Sequence, residues 1–131
     1  MIQKLTLSVL PENLTICKLD SRHNIPDWAM NSNFYAITRT TDELSIVCDQ
    51  AYVPADIQHE SGWRAFKVEG PLDFALTGIL ANLATLLADV SVALFAISTF
   101  DTDYVLVKAE KISIAIAAFE SGGHIVQVDD T

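Results

Sequence analysis

The sequence predicts an α+β fold made of two similar units in tandem, and three observations favour it. First, residues 63–128 divide into strand-like and helix-like segments in the order β-α-β-β-α-β. Second, Ala36-Ile37-Thr38 and Ala96-Ile97-Ser98 both end apolar strands, and each is followed by a polar turn and a returning apolar strand, at an offset of 60 residues. Third, hydrophobic residues make up 50% of the 131-residue chain, which is enough for a core.

The elements of the second half follow from periodicity. Trp63–Glu69 alternates as a strand does, and a Gly-Pro pair ends it. Leucine, isoleucine and valine then recur at steps of three and four over residues 76–90, which predicts a helix, and Asp73 is the candidate for its N-terminal cap. The near-continuous apolar run Ser91–Ser98 predicts a strand buried on both faces.

The remaining segments complete the pattern. Tyr104–Lys108 reads as a returning strand, Lys111–Glu120 as a helix that two glycines end, and His124–Val128 as a last strand. The order β-α-β-β-α-β is that of a ferredoxin-like unit, with an antiparallel sheet and both helices on one face.

The first half is less regular. It contains the strand patterns LTLSVL and LTICKLD, a short helical segment around Pro26–Met30, and no fourth strand of its own. We expect Lys4–Leu10 to occupy that edge position, so that the first unit is permuted. The predicted domains are residues 1–61 and residues 62–131. Cys17 and Cys48 lie in apolar strand patterns, where we expect them to be small buried hydrophobic residues.

Charge and hydropathy exclude several classes of partner. The net charge is −9, with 17 acidic and 8 basic residues, and this field repels nucleic acid and anionic membrane surfaces. The longest apolar region, Phe74–Val90, is interrupted by polar residues and cannot span a bilayer. The first residues do not resemble a secretory signal, so we expect a cytoplasmic location.

The segment GPLDFALTGILANLATLLADVSVALFAISTFDTDYVLVK, residues 70–108, resembles an ACT domain of the kind found in aspartate kinases and CASTOR-type arginine sensors. The resemblance is strongest in "TGIL" and "AISTFDTDYVLV", and it extends more weakly over the whole chain as a tandem pair of ACT units. It implies that a free amino acid or a similar small metabolite binds at an interface between units. The ligand contacts that it implies are Asp73, Gly78, Ile79, Ser98, Thr99, Phe100 and Asp103.

These residue types suit a zwitterion. Free N–H groups at a helix start can bind a carboxylate, and Asp103 can bind an ammonium group. The hydroxyls of Ser98 and Thr99 would fix orientation, and Phe100 would exclude water. The alternative is that Ser98 and Thr99 end a strand, that Asp103 satisfies turn backbone groups and that Asp73 caps a helix. In the first repeat the 60-residue offset places Arg39 at the position of Thr99, so we expect one site per chain.

The predicted function is an amino-acid-binding regulatory or sensor module that acts through a homo-oligomer or a protein partner. One alternative is a structural interaction protein whose ligand site has decayed, for which Trp28 and Trp63 would form an association surface. The other is an enzyme whose candidate groups are Cys48, His23, His59, His124 and the acidic turns, but no nucleophile elbow, phosphate loop or metal-ligand spacing is found. We therefore expect no catalytic activity, no cofactor and no metal.

Overall fold

The computed structural model describes residues 4–70 and 78–128 of the chain. This part contains strands and two α-helices, so the predicted α+β class is confirmed. In chain order they are β1 (Thr6–Val9), β2 (Leu14–Leu19), β3 (Ala36–Arg39), β4 (Leu44–Asp49), β5 (Gln58–Val68), α1 (Ile79–Ala88), β6 (Phe95–Ser98), β7 (Asp103–Lys108), α2 (Ile112–Ser121) and β8 (Ile125–Val128). Short 3-10 turns cover Asp27–Met30, Gln50–Tyr52 and Ala109–Lys111.

The chain divides into two compact units. The smaller unit is Glu12–Trp63, and the larger unit combines the described residues before Glu12 with those from Arg64 onward. The predicted division between residues 61 and 62 falls inside β5, which contributes residues to both units. β1 belongs to the larger unit, although the sequence suggested that it would complete the smaller one.

The sheet of the larger unit has the strand order β6-β7-β5-β1-β8. β1 pairs antiparallel with β5 and parallel with β8, so it lies between the first and last strands of the β-α-β-β-α-β unit. Leu5, Leu7 and Val9 are all buried in this unit's core. The expectation for residues 4–10 was therefore wrong: an alternating apolar strand fits either sheet, and only long-range pairing decides between them.

Both helices of the larger unit lie on one face of its sheet, as predicted. The core between them joins alternate strand residues with the inner face of each helix. Its buried members are Leu5, Leu7, Val9, Phe66, Val68, Leu83, Leu87, Val92, Val105, Val107, Ala115 and Phe119. The rings of Phe66 and Phe119 meet edge to face, with centroids 4.9 Å apart and planes at 84°. This core fixes which sheet residues face the helices and which face away.

The smaller unit has the strand order β3-β4-β2-β5, with antiparallel pairing throughout. Its core contains Cys17 and Cys48, both buried and unbridged, as the strand patterns predicted. The contact with Cys17, together with burial, raises the pKa of the Cys48 thiol, which keeps it protonated. Where the larger unit has α1, the smaller unit has the 3-10 turn Asp27–Met30. The turn Gln50–Tyr52 follows β4 as the turn Ala109–Lys111 follows β7.

The internal repeat has an offset of 59 residues, not 60. β3 and β4 pair in the same register as β6 and β7, with Ala36 opposite Val47 and Phe95 opposite Leu106. Matching the AIT and AIS triplets shifted the alignment by one residue, and such a shift exchanges the two faces of a strand. Hydrogen bonds between the strands fix the register, so the structural counterpart of Thr99 is Thr40.

β6 is shorter and more exposed than predicted. Only Phe95–Ser98 is extended, with half-buried and exposed residues in alternation. Among the described strands β6 pairs with β7 alone, so it is an edge strand and is not buried on both faces. The preceding residues form a turn and a loop, although Val92 within them is buried in the core.

Candidate functional site

Ser98 and Asp103 form a hydrogen-bonded pair at the turn end of the β6–β7 hairpin. Ser98 ends β6, Asp103 begins β7, and the two lie directly opposite each other. The Ser98 hydroxyl donates to Asp103 Oδ1 at 2.5 Å. A carboxylate can accept about four hydrogen bonds, so this bond orients Asp103 and leaves most of its acceptor capacity for other donors.

The turn between the two strands is closed by its own hydrogen bonds. The Thr99 N–H donates to the Thr102 carbonyl at 2.8 Å, and the Thr99 hydroxyl also donates to that carbonyl, at 3.1 Å. The Thr102 hydroxyl donates to the Val68 carbonyl at 2.5 Å and is buried. This bond attaches the turn to the end of β5. Thr102 could not be identified from the sequence, because its role depends on a strand 34 residues away.

Strand alternation places the Ser98–Asp103 pair on the helix side of the sheet. Val105 and Val107 lie in the helix-side core, and Asp103 has the same parity on β7. Phe100 lies at the tip of the turn with 80% of its surface exposed. Any shielding by Phe100 therefore requires a bound ligand or a second surface to cover it.

Gly78 precedes α1 and occupies the left-handed region, with φ +79°. This conformation favours glycine, although a Cβ there would meet nothing within 4 Å. Gly78 is thus the residue at the N-terminal cap, where Asp73 was predicted. Asp73 lies outside the described residues. Ile79, the first residue of α1, packs against the core, which is a structural role sufficient to explain it.

The structure therefore brings Ser98, Thr99, Phe100 and Asp103 together in one hairpin. Gly78 and Ile79 lie at the start of α1 in the same unit. Gly78, at the N-cap, has no capping side chain, and the first N–H groups of α1 present the positive end of the helix dipole. The hairpin supplies an acceptor with two hydroxyls, and the helix start supplies donors.

The equivalent position in the smaller unit has different chemistry. At an offset of 59, Arg39 corresponds to Ser98 and Leu44 to Asp103. The Arg39 guanidinium donates to the Ser21 carbonyl and, at 2.7 Å, to the His23 carbonyl. It links the hairpin to the loop after β2. The smaller unit thus lacks the Ser-Asp pair, and its loop carbonyls are bound by the protein's own cation.

Within residues 4–70 and 78–128, no group of three or more His, Cys, Asp or Glu side chains could hold a metal ion. Over the same residues no helix is long and apolar enough to cross a membrane.

His124 is buried; its Nδ1 accepts from the Leu5 N–H at 3.1 Å, and its Nε2 lies 2.7 Å from Asn82 Oδ1. Both ring nitrogens of His124 are therefore used.

Comparisons with known proteins agree with this architecture. The family model for the ACT domain matches residues 58–121, and a model for an N-terminal domain matches residues 12–56. The rat protein described as cytosolic arginine sensor for mTORC1 subunit 1 is 34% identical over 109 residues. That alignment covers 72% of this chain and 33% of the rat protein. The chain thus spans about a third of the length of the curated relatives it matches.

Solved structures show the same fold over nearly the whole chain. A structural-genomics target from Agrobacterium tumefaciens is 33% identical with a TM-score of 0.94, covering 99% of this chain and 97% of that chain. Aspartate kinase from Clostridium acetobutylicum gives a TM-score of 0.67 at 12% identity, over 88% of this chain and 34% of the kinase.

The order and pairing of strands and helices in the larger unit define a ferredoxin-like α+β domain. Residues 58–121 belong to the ACT-domain family, which confirms the resemblance seen in the sequence.

Proposed function

We propose that this protein binds a free amino acid at the β6–β7 hairpin of the larger unit and acts as a regulatory module. The site comprises Asp73, Gly78, Ile79, Ser98, Thr99, Phe100 and Asp103. The observation that carries the proposal is the Ser98–Asp103 hydrogen bond, which fixes an acidic acceptor at the end of a sheet in an ACT domain.

A zwitterion matches the two kinds of group in this site. Asp103 accepts a charge-assisted hydrogen bond from the ligand ammonium group. The Ser98 hydroxyl holds the Asp103 carboxylate in place. The first turn of α1 offers N–H donors to the ligand carboxylate. Neither feature would be sufficient separately. Their combination in one unit supports an amino acid over a simple anion or cation.

The relatives support the ligand class. The rat relative is named as an arginine sensor. This chain spans only about a third of that relative, so the proposal for this chain extends to a free amino acid and not to a particular one. The name of the rat relative also supports a cytoplasmic location.

The output of binding is association and not catalysis. A ligand shifts an equilibrium only by its difference in affinity for two states. Those states are the free protein and the protein joined to a second copy or a regulated partner. Phe100, exposed at the tip of the ligand hairpin, is placed where an incoming surface would cover it.

A thermal-shift screen against the twenty amino acids tests the proposal. We expect a rise in melting temperature with at least one of them, because a ligand that binds the folded state stabilises it. Asp103→Asn should abolish that rise. Asp42→Asn, which changes an exposed acid of the smaller unit's hairpin, should leave it unchanged. An intact oligomer with no response to any amino acid would support the structural alternative instead.

A further inference from the structure

The larger unit carries a recess on the face of its sheet away from the helices. On β5, Phe66 and Val68 face the helix-side core, so Lys67 between them faces the opposite side. On β7, Val105 faces the core, and Tyr104 beside it faces away. Because β5 and β7 are paired, Lys67 and Tyr104 share this second face. The Ser98–Asp103 pair lies on the other one.

The recess is a built concavity of about 180 Å³. It is lined by Lys67, Gly70, Thr99, Asp101, Thr102 and Tyr104. A protein cavity of roughly 150 Å³ accommodates benzene, with its six non-hydrogen atoms. The recess therefore suits a ligand of roughly six to nine non-hydrogen atoms, which is smaller than most ligands of protein pockets.

The lining groups favour a ligand that carries both a positive and a negative charge. Lys67 supplies an ammonium group and Asp101 a carboxylate, with the phenol of Tyr104 and the hydroxyl of Thr99 beside them. A simple anion would be repelled by Asp101, and a simple cation by Lys67. The Thr102 hydroxyl already donates to the Val68 carbonyl and is not available as a donor.

Lys67 can exchange its present partner for a ligand. Its Nζ lies 3.8 Å from Glu69 Oε1, and the two side chains are 37% and 40% exposed. An ion pair this long and this exposed contributes little to stability. Exchanging the Glu69 carboxylate for a ligand carboxylate as the partner of Lys67 therefore costs little free energy. Glu69 remains solvated when it is released.

We propose that this recess is a second small-molecule site, which takes a small zwitterion with its carboxylate on Lys67 and its ammonium group on Asp101. It uses a different face of the hairpin from the site of the proposed function. The two sites share only Thr99, so either can exist without the other.

An NMR titration of the ¹⁵N-labelled protein tests this site, with L-alanine and L-asparagine as probes at the two ends of the size range. We expect shifts of the Gly70, Asp101 and Tyr104 amides. Lys67→Met keeps the apolar stem and should weaken binding roughly tenfold, the effect of losing one good polar interaction. Lys18→Met, an exposed lysine of β2, is the matched control and should change nothing.

Three comparisons separate this site from the hairpin site. Propionate and alaninamide each lack one of the two charges and should bind more weakly than L-alanine. Tyr104→Phe removes only a hydroxyl, so it should weaken binding even if Lys67→Met proves unstable. Asp103→Asn should leave these shifts unchanged. Shifts confined to Gly78, Ser98 and Asp103, or no shifts with either amino acid, would overturn the proposal, and the first of these results would still support the proposed function.

Discussion

Arg39 occupies, in the smaller unit, the position that Ser98 of the Ser98–Asp103 pair has in the larger unit. It donates to the Ser21 and His23 carbonyls, which lie in the loop after β2. Arg39→Ala should lower the free energy of unfolding by about 1 kcal/mol, because water replaces both bonds at this exposed position. Urea denaturation measures the change. Arg22→Ala, an exposed neighbour, is the control, and an equal loss in both variants would contradict this role.

His124 makes the stability of the larger unit depend on pH. Burial lowers its pKa below the usual 6.5, and the neutral ring accepts from the Leu5 N–H through Nδ1. The unfolded chain therefore binds more protons than the folded one as the pH falls through 6.5. The stability from His124 is present above that pH and is lost as the pH falls towards the folded pKa.

Urea unfolding between about pH 7.5 and about pH 5.5 checks this effect. The urea midpoint should decrease as the pH is lowered, both in the wild type and in His59→Gln, which changes an exposed histidine. In His124→Gln, the urea midpoint should decrease less over the same pH range, because the contribution of the His124 ring is absent. An unchanged slope in His124→Gln would show that His124 does not link folding to protons.

At the scale of elements, two hairpins share one design. Thr40 and Thr99 occupy equivalent positions, and the hydroxyl of each accepts a backbone N–H within its own turn, at 3.1 Å and 3.2 Å. Replacing either threonine by valine should lower the free energy of unfolding by about 1 kcal/mol, because a backbone N–H loses its acceptor. Thr99→Ser should restore most of the stability. The control is Thr41→Val at an exposed turn position, and chemical denaturation that shows equal losses at Thr41 and Thr99 would argue against the shared design.

Local patterns predicted some elements well and others poorly. α2 and β7 begin and end within a residue or two of prediction, because periodicity and two glycines define them locally. The range of β6 was overestimated, since a buried loop residue such as Val92 looks like part of a strand. The partner of β1 could not be predicted, because strand pairing is a property of the whole chain.

The candidate site shows the same division. Ser98 and Asp103 were identified from a motif whose residues lie close in sequence, and the structure places them in contact. Lys67 and Thr102 were not identified, because their positions depend on the pairing of β5 with β7. Asp73 lies outside the described residues, so its part in the site stays a prediction.

At the scale of the whole molecule, we expect a homodimer. β8 is Ile-Val-Gln-Val, and among the described strands it pairs with β1 alone. It carries no charge or proline to block a second strand, and Ile125 and Val128 are 44% and 50% exposed. Light scattering should therefore give twice the chain mass. Val128→Lys should shift the protein to monomer, whereas Lys4→Ala, an exposed control, should not. A wild-type monomer at high concentration would contradict this expectation.

We propose that Asp103 contacts the ammonium group of a bound amino acid. A crystal structure with the amino acid that gives the largest thermal shift tests this contact. We expect ligand density with its nitrogen about 2.7–3.2 Å from the Asp103 carboxylate, and the ligand carboxylate at the first turn of α1. Density elsewhere, with Asp103 bonded only to Ser98, would contradict it.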